Sequence, residues 1–177
     1  YSTYPTLTAR RFNPRTRNWR WYDDEGSETP LTPLFAENGQ PFGQTIEDPI
    51  KLRVTISDAG NLEAVNQKFS IQFSTSSTFA SGVTAVTEAG SCTSSSLWCY
   101  ADGVDADDGA ITTRVLTDSV VSGTHNESGT SASTFDHQAL SVVEYEFTVR
   151  SRAGVSANTV YYFRAYDNNR SLAVVLA

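Results

Sequence analysis

The sequence predicts an all-β protein, a two-sheet sandwich of about seven to nine short strands behind an extended N-terminal segment. Three observations predict it. Apolar residues recur at alternate positions in short runs, the spacing that places them on one face of a strand; Leu52, Val54 and Ile56 form one set, and Val143, Tyr145, Phe147 and Val149 another. Turn residues separate these runs, among them Asp58, Gly60 and Asn61, and then Asp167, Asn168 and Asn169. Ser, Thr, Val and aromatics dominate, while the Leu/Glu/Lys runs of helices are missing. At 177 residues the chain suits one domain with a substantial core.

Residues 1–16 contain Pro5, Pro14 and only a weak alternation, Leu7 and Ala9. Such a piece has too little apolar surface to fold alone, yet its β-branched and aromatic content lets it pair with an edge. Three readings stand open: an arm that adds to another subunit's sheet, a first strand of the same domain, or a frayed end. In the first, Tyr4, Leu7 and Phe12 fill pockets, Ala9 shares the face of Leu7, and Arg10, Arg11, Arg15 and Arg17 meet acids on the neighbour. The sandwich domain then covers 17–177. Trp19 and Trp21 share one face of its first strand, which Asp23, Asp24, Glu25 and Gly26 end.

This stretch is also an electrical boundary. Five arginines and no acid precede Asp23; residues 23–177 carry eight bases and all twenty acids. The net-negative body argues against nucleic acid as the main partner, while arm and body of opposite sign attract each other within or between molecules.

Four prolines and two glycines make 30–49 a loop, with Leu31, Leu34 and Phe35 tucked beneath. Strands are expected at 51–57, 68–74, 83–86, around Cys99 between Trp98 and Tyr100, and at 110–116. The Ser/Thr/Gly/Asn-rich 117–139 reads as an exposed loop or a poorly ordered edge. The next strand turns Tyr145 and Phe147 inward and Glu144, Glu146 and Arg150 to water. Residues 161–166 and 172–177 supply the last two strands.

Cys92 and Cys99 do not have the spacing of a zinc or redox Cys-x-x-Cys. They suit a disulfide closing a surface loop, worth about 2–3 kcal/mol. The chain has no Met, so Tyr1 is either the product of leader removal or the start of a fragment. Together these point outside the cytoplasm. No apolar run approaches the roughly 18–20 residues that span a bilayer, so no membrane insertion is expected.

Catalytic chemistry finds little to stand on. His125 and His137, the only histidines, lie in the polar 117–139 stretch and read as surface groups. There is no Gly-x-Ser-x-Gly or phosphate-cradling loop, and the acids cluster in loops rather than facing each other. Asp102, Asp105, Asp107 and Asp108 form either a calcium loop or a solvated acidic turn. Asn126 and Asn169 open N-glycosylation patterns. The three tryptophans and eight tyrosines are either a sugar-stacking face or core and interface residues.

The run Thr159-Val-Tyr-Tyr-Phe-Arg-Ala-Tyr-Asp resembles the penultimate strand of fibronectin-type-III-like and related immunoglobulin-like sandwiches. Tyr161, Phe163 and Arg164 match the Tyr, apolar, outward-Arg order of those folds. The resemblance implies that Tyr161 is the corner tyrosine and Phe163 core, in an immunoglobulin-like or jelly-roll-type sandwich. A second resemblance runs through Trp19-x-Trp-x-Asp-Asp-x-Gly-Ser-Glu-Thr, Leu52-Arg-Val, Ile71-Gln-Phe-Ser and Glu144-Tyr-Glu-Phe-Thr-Val. These look like the sandwich domains of large, poorly characterised surface proteins of uncultured bacteria, which implies an extracellular structural role and supplies no catalytic residues. The expectation is a secreted subunit that polymerises head to tail through its arm, in the manner of donor-strand complementation. The alternative is an adhesive or glycan-binding module.

Overall fold

The computed structural model describes residues 7, 9–25, 27–103, 107–129 and 135–177. The fold is an all-β sandwich. Its strands are β1 (Pro14–Asp23), β2 (Pro49–Asp58), β3 (Phe69–Ser74), β4 (Thr84–Ala85), β5 (Trp98–Tyr100), β6 (Val121–Ser122), β7 (Val142–Ser151), β8 (Tyr162–Asp167), β9 (Leu172–Ala173) and β10 (Val175–Leu176). One 3-10 turn, Ala89–Ser91, interrupts them. The larger sheet runs β10-β1-β2-β7-β5, with β6 also beside β7; the smaller runs β4-β3-β8-β9. Among the described residues no helix is long and apolar enough to cross a membrane.

The core lies between the sheets because three strands keep strict alternation. Leu52, Val54 and Ile56 of β2 and Val143, Tyr145, Phe147 and Val149 of β7 join Phe69, Ile71 and Phe73 of β3 in one buried cluster. Register aligns them, with Leu52 opposite Phe147 and Val54 opposite Tyr145. The Cys92–Cys99 disulfide forms as expected, beside the edge where β5 meets β7.

The expected layout is corrected in several places. Glu144 and Glu146 do not face water; both are fully buried. The 110–116 stretch is not a strand, because the Val115 and Leu116 amides donate to the Glu144 carboxylate instead of a ladder. Nor is 117–139 simply exposed. Residues 120–126 run along β7, with Gly123 N–H donating to Glu144 C=O and Thr124 and Asn126 C=O accepting from Glu146 and Thr148. His125 and His137 are therefore core groups, 1 % and 0 % exposed. The closing stretch is two short strands in different sheets, with buried Val174 at the crossing. Leu34 packs against the core, but Leu31 and Phe35 are exposed.

Candidate functional site

On one side the sandwich does not close. β10 pairs only with Arg15 and Thr16 of β1, and β9 only with Tyr166 and Asp167 of β8. Between the rest of β1 and the rest of β8 lies an open groove of about 880 Å³. Trp19, Trp21, Leu52, Trp98, Tyr161 and Phe163 are among the residues that line it. The rings interlock edge to face, Trp21 and Trp98 meeting Phe163 at centroid separations of 5.1 and 4.9 Å. Tyr161 lies against Phe73 and Trp98, and its hydroxyl accepts from Ser156 N–H at 3.2 Å. No carboxylate lines the groove among the described residues.

Next to one end of this opening the N-terminal segment is rooted. Phe12 is buried, packed on His137 at 4.9 Å and covered by the Arg170 guanidinium at 4.5 Å. Asn13 N–H donates to Asp58 Oδ1 at 2.9 Å, and Ala59 N–H donates to Asn13 C=O at 2.9 Å. Asp58 also accepts from Gly60, Leu62 and Leu140. Burial works to raise its pKa, but these four amides outweigh burial and hold the carboxyl below its ordinary value. Gly60 is needed here for space, since a Cβ would lie 1.6 Å from the Arg11 carbonyl oxygen.

The chain is thus fixed from Phe12, not from residue 17, and 14–16 belong to β1. Phe12 is a root and Arg15 a strand residue, while Arg17 meets Asp118 of its own domain at 3.1 Å. Leu7 is 95 % exposed, and Ala9, Arg10 and Arg11 are exposed too. Tyr4 lies outside the described residues.

The opposite face of the larger sheet carries a buried ionic layer. Lys51 and Arg53 project from β2, and Glu144 and Glu146 from β7. Arg53 is paired with Glu146 and, at 3.1 Å, with Glu144. Lys51 Nζ lies 3.4 Å from Asp24 and 3.8 Å from Glu146, and His125 Nδ1 lies 2.8 Å from Glu146 Oε1. Burial works to raise the Glu146 pKa, but His125, Arg53 and Lys51 outweigh it and hold the carboxyl at about 2. Arg53 also donates to Thr113 C=O, and Glu144 accepts from Val115 and Leu116 N–H, so the layer has the character of a fastener for 110–127.

Comparison with protein families, curated proteins and solved structures found no match.

Several expected site residues fall elsewhere. Asp102, Asp107 and Asp108 are exposed and Asp105 lies outside the described residues. Among the described residues no three His, Cys, Asp or Glu side chains gather to hold a metal. Asn126 is fully buried, which closes it to a glycan in the folded domain. Asn169 is exposed, with its amide donating to Asn66 C=O. Trp21, Tyr145 and Phe147 are core as expected, whereas Trp19, Tyr161 and Phe163 pack partly buried against the core. The groove itself carries no sequence signal, because it is defined by the neighbour strand that β8 lacks.

Proposed function

We propose that this chain is a secreted structural subunit that polymerises head to tail into an extracellular filament or surface layer, the N-terminal segment of one copy entering the groove of the next. The observation that carries this reading is the open apolar groove, with an exposed segment containing Leu7 rooted on the same domain. Residues 1–11, extended, reach about 36–40 Å, whereas the β8 wall needs only about 20 Å of partner strand. Enough chain remains to cross between subunits.

Donor and acceptor are different surfaces, so the contact does not close on itself and generates a fibre. Burying the Leu7 side chain contributes about 1.5–3 kcal/mol, and backbone pairing along an edge adds strength and register. Among the described residues the groove offers no carboxylate, so cohesion there is apolar and the arginines act outside it. The Cys92–Cys99 disulfide suits an oxidising compartment.

The test compares the full chain with one beginning at Phe12, by negative-stain microscopy and light scattering. The full chain should form filaments and the shortened one should remain a folded monomer. Filaments from the shortened chain, or a full chain that stays monomeric at every concentration, would overturn the reading.

A further inference from the structure

We infer that the outer edge of β8, at 161–164, is the edge that receives the neighbour's N-terminal segment, with Leu7 and Ala9 turned into the groove and Thr8 and Arg10 turned to solvent. This rests on the polymerisation reading and adds the edge, the facing and the pocket.

The hydrogen-bond directions single out β8. Ile71 of β3 sends its N–H to the Tyr100 hydroxyl at 2.8 Å, and its carbonyl accepts from Val86 N–H at 2.9 Å. Both groups point away from β8. In an antiparallel ladder the residue opposite, Ala165, then also points its groups away from β3. Its carbonyl accordingly accepts from Val174 N–H at 2.9 Å. The same alternation points the N–H and C=O of Phe163 outward, three residues before β9 begins to pair.

The facing wall offers no such edge. The Trp19 and Trp21 carbonyls accept from Asn38 and Leu34 N–H, and Asp23 N–H donates to Thr32 C=O. Lower on β1, Thr16 C=O takes Ala177 N–H. A strand entering the groove therefore finds its backbone partners on β8.

Side-chain alternation then sets the facing. Phe163 and Ala165 turn inward, while Tyr162 is 37 % exposed and Arg164 reaches Gln72 along the outer face. Leu7 and Ala9 are two apart, uncharged, and match a groove lined by rings and, among the described residues, by no carboxylate. Arg10, placed inward, would face those rings with no counter-ion; placed outward it stays hydrated.

Because the root at Phe12 adjoins Leu172, Ala173 and Val175 at one end of the same opening, a subunit's own segment must be told apart from its neighbour's. Single-cysteine changes on separate chains do this. Thr8→Cys on a tagged chain is mixed with Tyr162→Cys or Arg164→Cys, which sample two registers, and with Arg17→Cys on β1 as the control. Adjacent strands hold paired Cα atoms about 4.5–5.5 Å apart, within disulfide range. Mild oxidation should link Thr8→Cys to position 162 or 164 at least tenfold more than to position 17. Filaments in which Thr8→Cys links to position 17, or to neither wall, would overturn the β8 assignment and leave polymerisation standing. Absence of both filaments and linked dimers would overturn both. A chain carrying both Thr8→Cys and Tyr162→Cys that closes internally, as a linked monomer, would also overturn the assignment of the neighbour as occupant.

Discussion

Titrating the domain from pH 7.5 to 4.5 tests one buried ring. His137 is out of contact with water, wedged among Phe12, Phe69 and Tyr145, with Nδ1 3.0 Å from the Tyr145 hydroxyl. Burial lowers its pKa to about 4, Asp58 and the Ser141 backbone opposing and Arg170 assisting. In the unfolded chain the ring protonates near 6.5. Between those values the unfolded state binds the extra proton, so stability falls as pH falls. The contribution is fully present above about 6.5 and gone below about 4. At 1.36 kcal/mol per pH unit the whole window removes about 3 kcal/mol, most of it by pH 4.5. For a domain of this size that lowers Tm by roughly 6–12 °C. Urea unfolding followed by tryptophan fluorescence, at unit steps of pH, measures it. His137→Gln should be less stable at pH 7.5 but should lose most of the slope between 6.5 and 4.5. Glu146 adds little in that window, because its contribution is lost only as pH falls through its ordinary value of 4.5 and below. Equal slopes in the variant and the original chain would refute the assignment.

The ionic layer and the arm root give two more tests. Glu146→Gln leaves Arg53 and Lys51 buried with less negative charge opposite, and should cost about 3–5 kcal/mol in urea unfolding, whereas Arg53→Met with Glu146→Leu should cost less than the single change. Since Glu146 is held near 2 against an ordinary 4.5, its contribution is present above pH 4.5 and lost as pH falls toward 2. Gly60→Ala must displace the Arg11 backbone, loosening the Asn13 and Ala59 hydrogen bonds at a cost of about 1–3 kcal/mol. Amide exchange at Asn13 and Ala59 should quicken while β7 amides stay protected.

The strands that the sequence reveals are those whose alternation has an apolar side. β2, β3, β7 and β8 all qualify, and all are found within a residue or two. What alternation hides is the other side. Lys51 and Arg53 on one strand, and Glu144 and Glu146 on another, look like solvated faces until register sets Arg53 opposite Glu146. The complementary signs were visible, but adjacency of β2 and β7 was not, since 83 residues separate Asp58 from Val142. Residues 110–116 have strand-like content, yet a carboxylate from β7 takes the amides a ladder would need. Asn126 fits a glycosylation pattern that local sequence cannot distinguish from a buried turn. Proline and arginine content suggested a detachable segment to residue 16, but Phe12 found a pocket made by His137 and Arg170, far along the chain.

A free edge beside an apolar groove is a liability that natural sheets blunt with lysine, proline, bulges or cover. The residues at 161–163 are Tyr, Tyr and Phe, and only Arg164 carries charge. Such an edge is stable in solution when something fills it. The consequence is measurable on the chain beginning at Phe12, whose groove has no donor of its own. A synthetic peptide of residues 1–11 should raise its Tm saturably, since a ligand that binds only the folded state stabilises by RT ln(1 + [L]/Kd), about 2.7 kcal/mol at a hundredfold excess over Kd. The same peptide with Leu7→Asp would place a charge against Trp21, Trp98 and Phe163 and should give no shift. If both peptides raise Tm equally, the gain comes from nonspecific charge attraction between a basic peptide and an acidic body, and the groove is not the acceptor. If neither does, the donor is not residues 1–11.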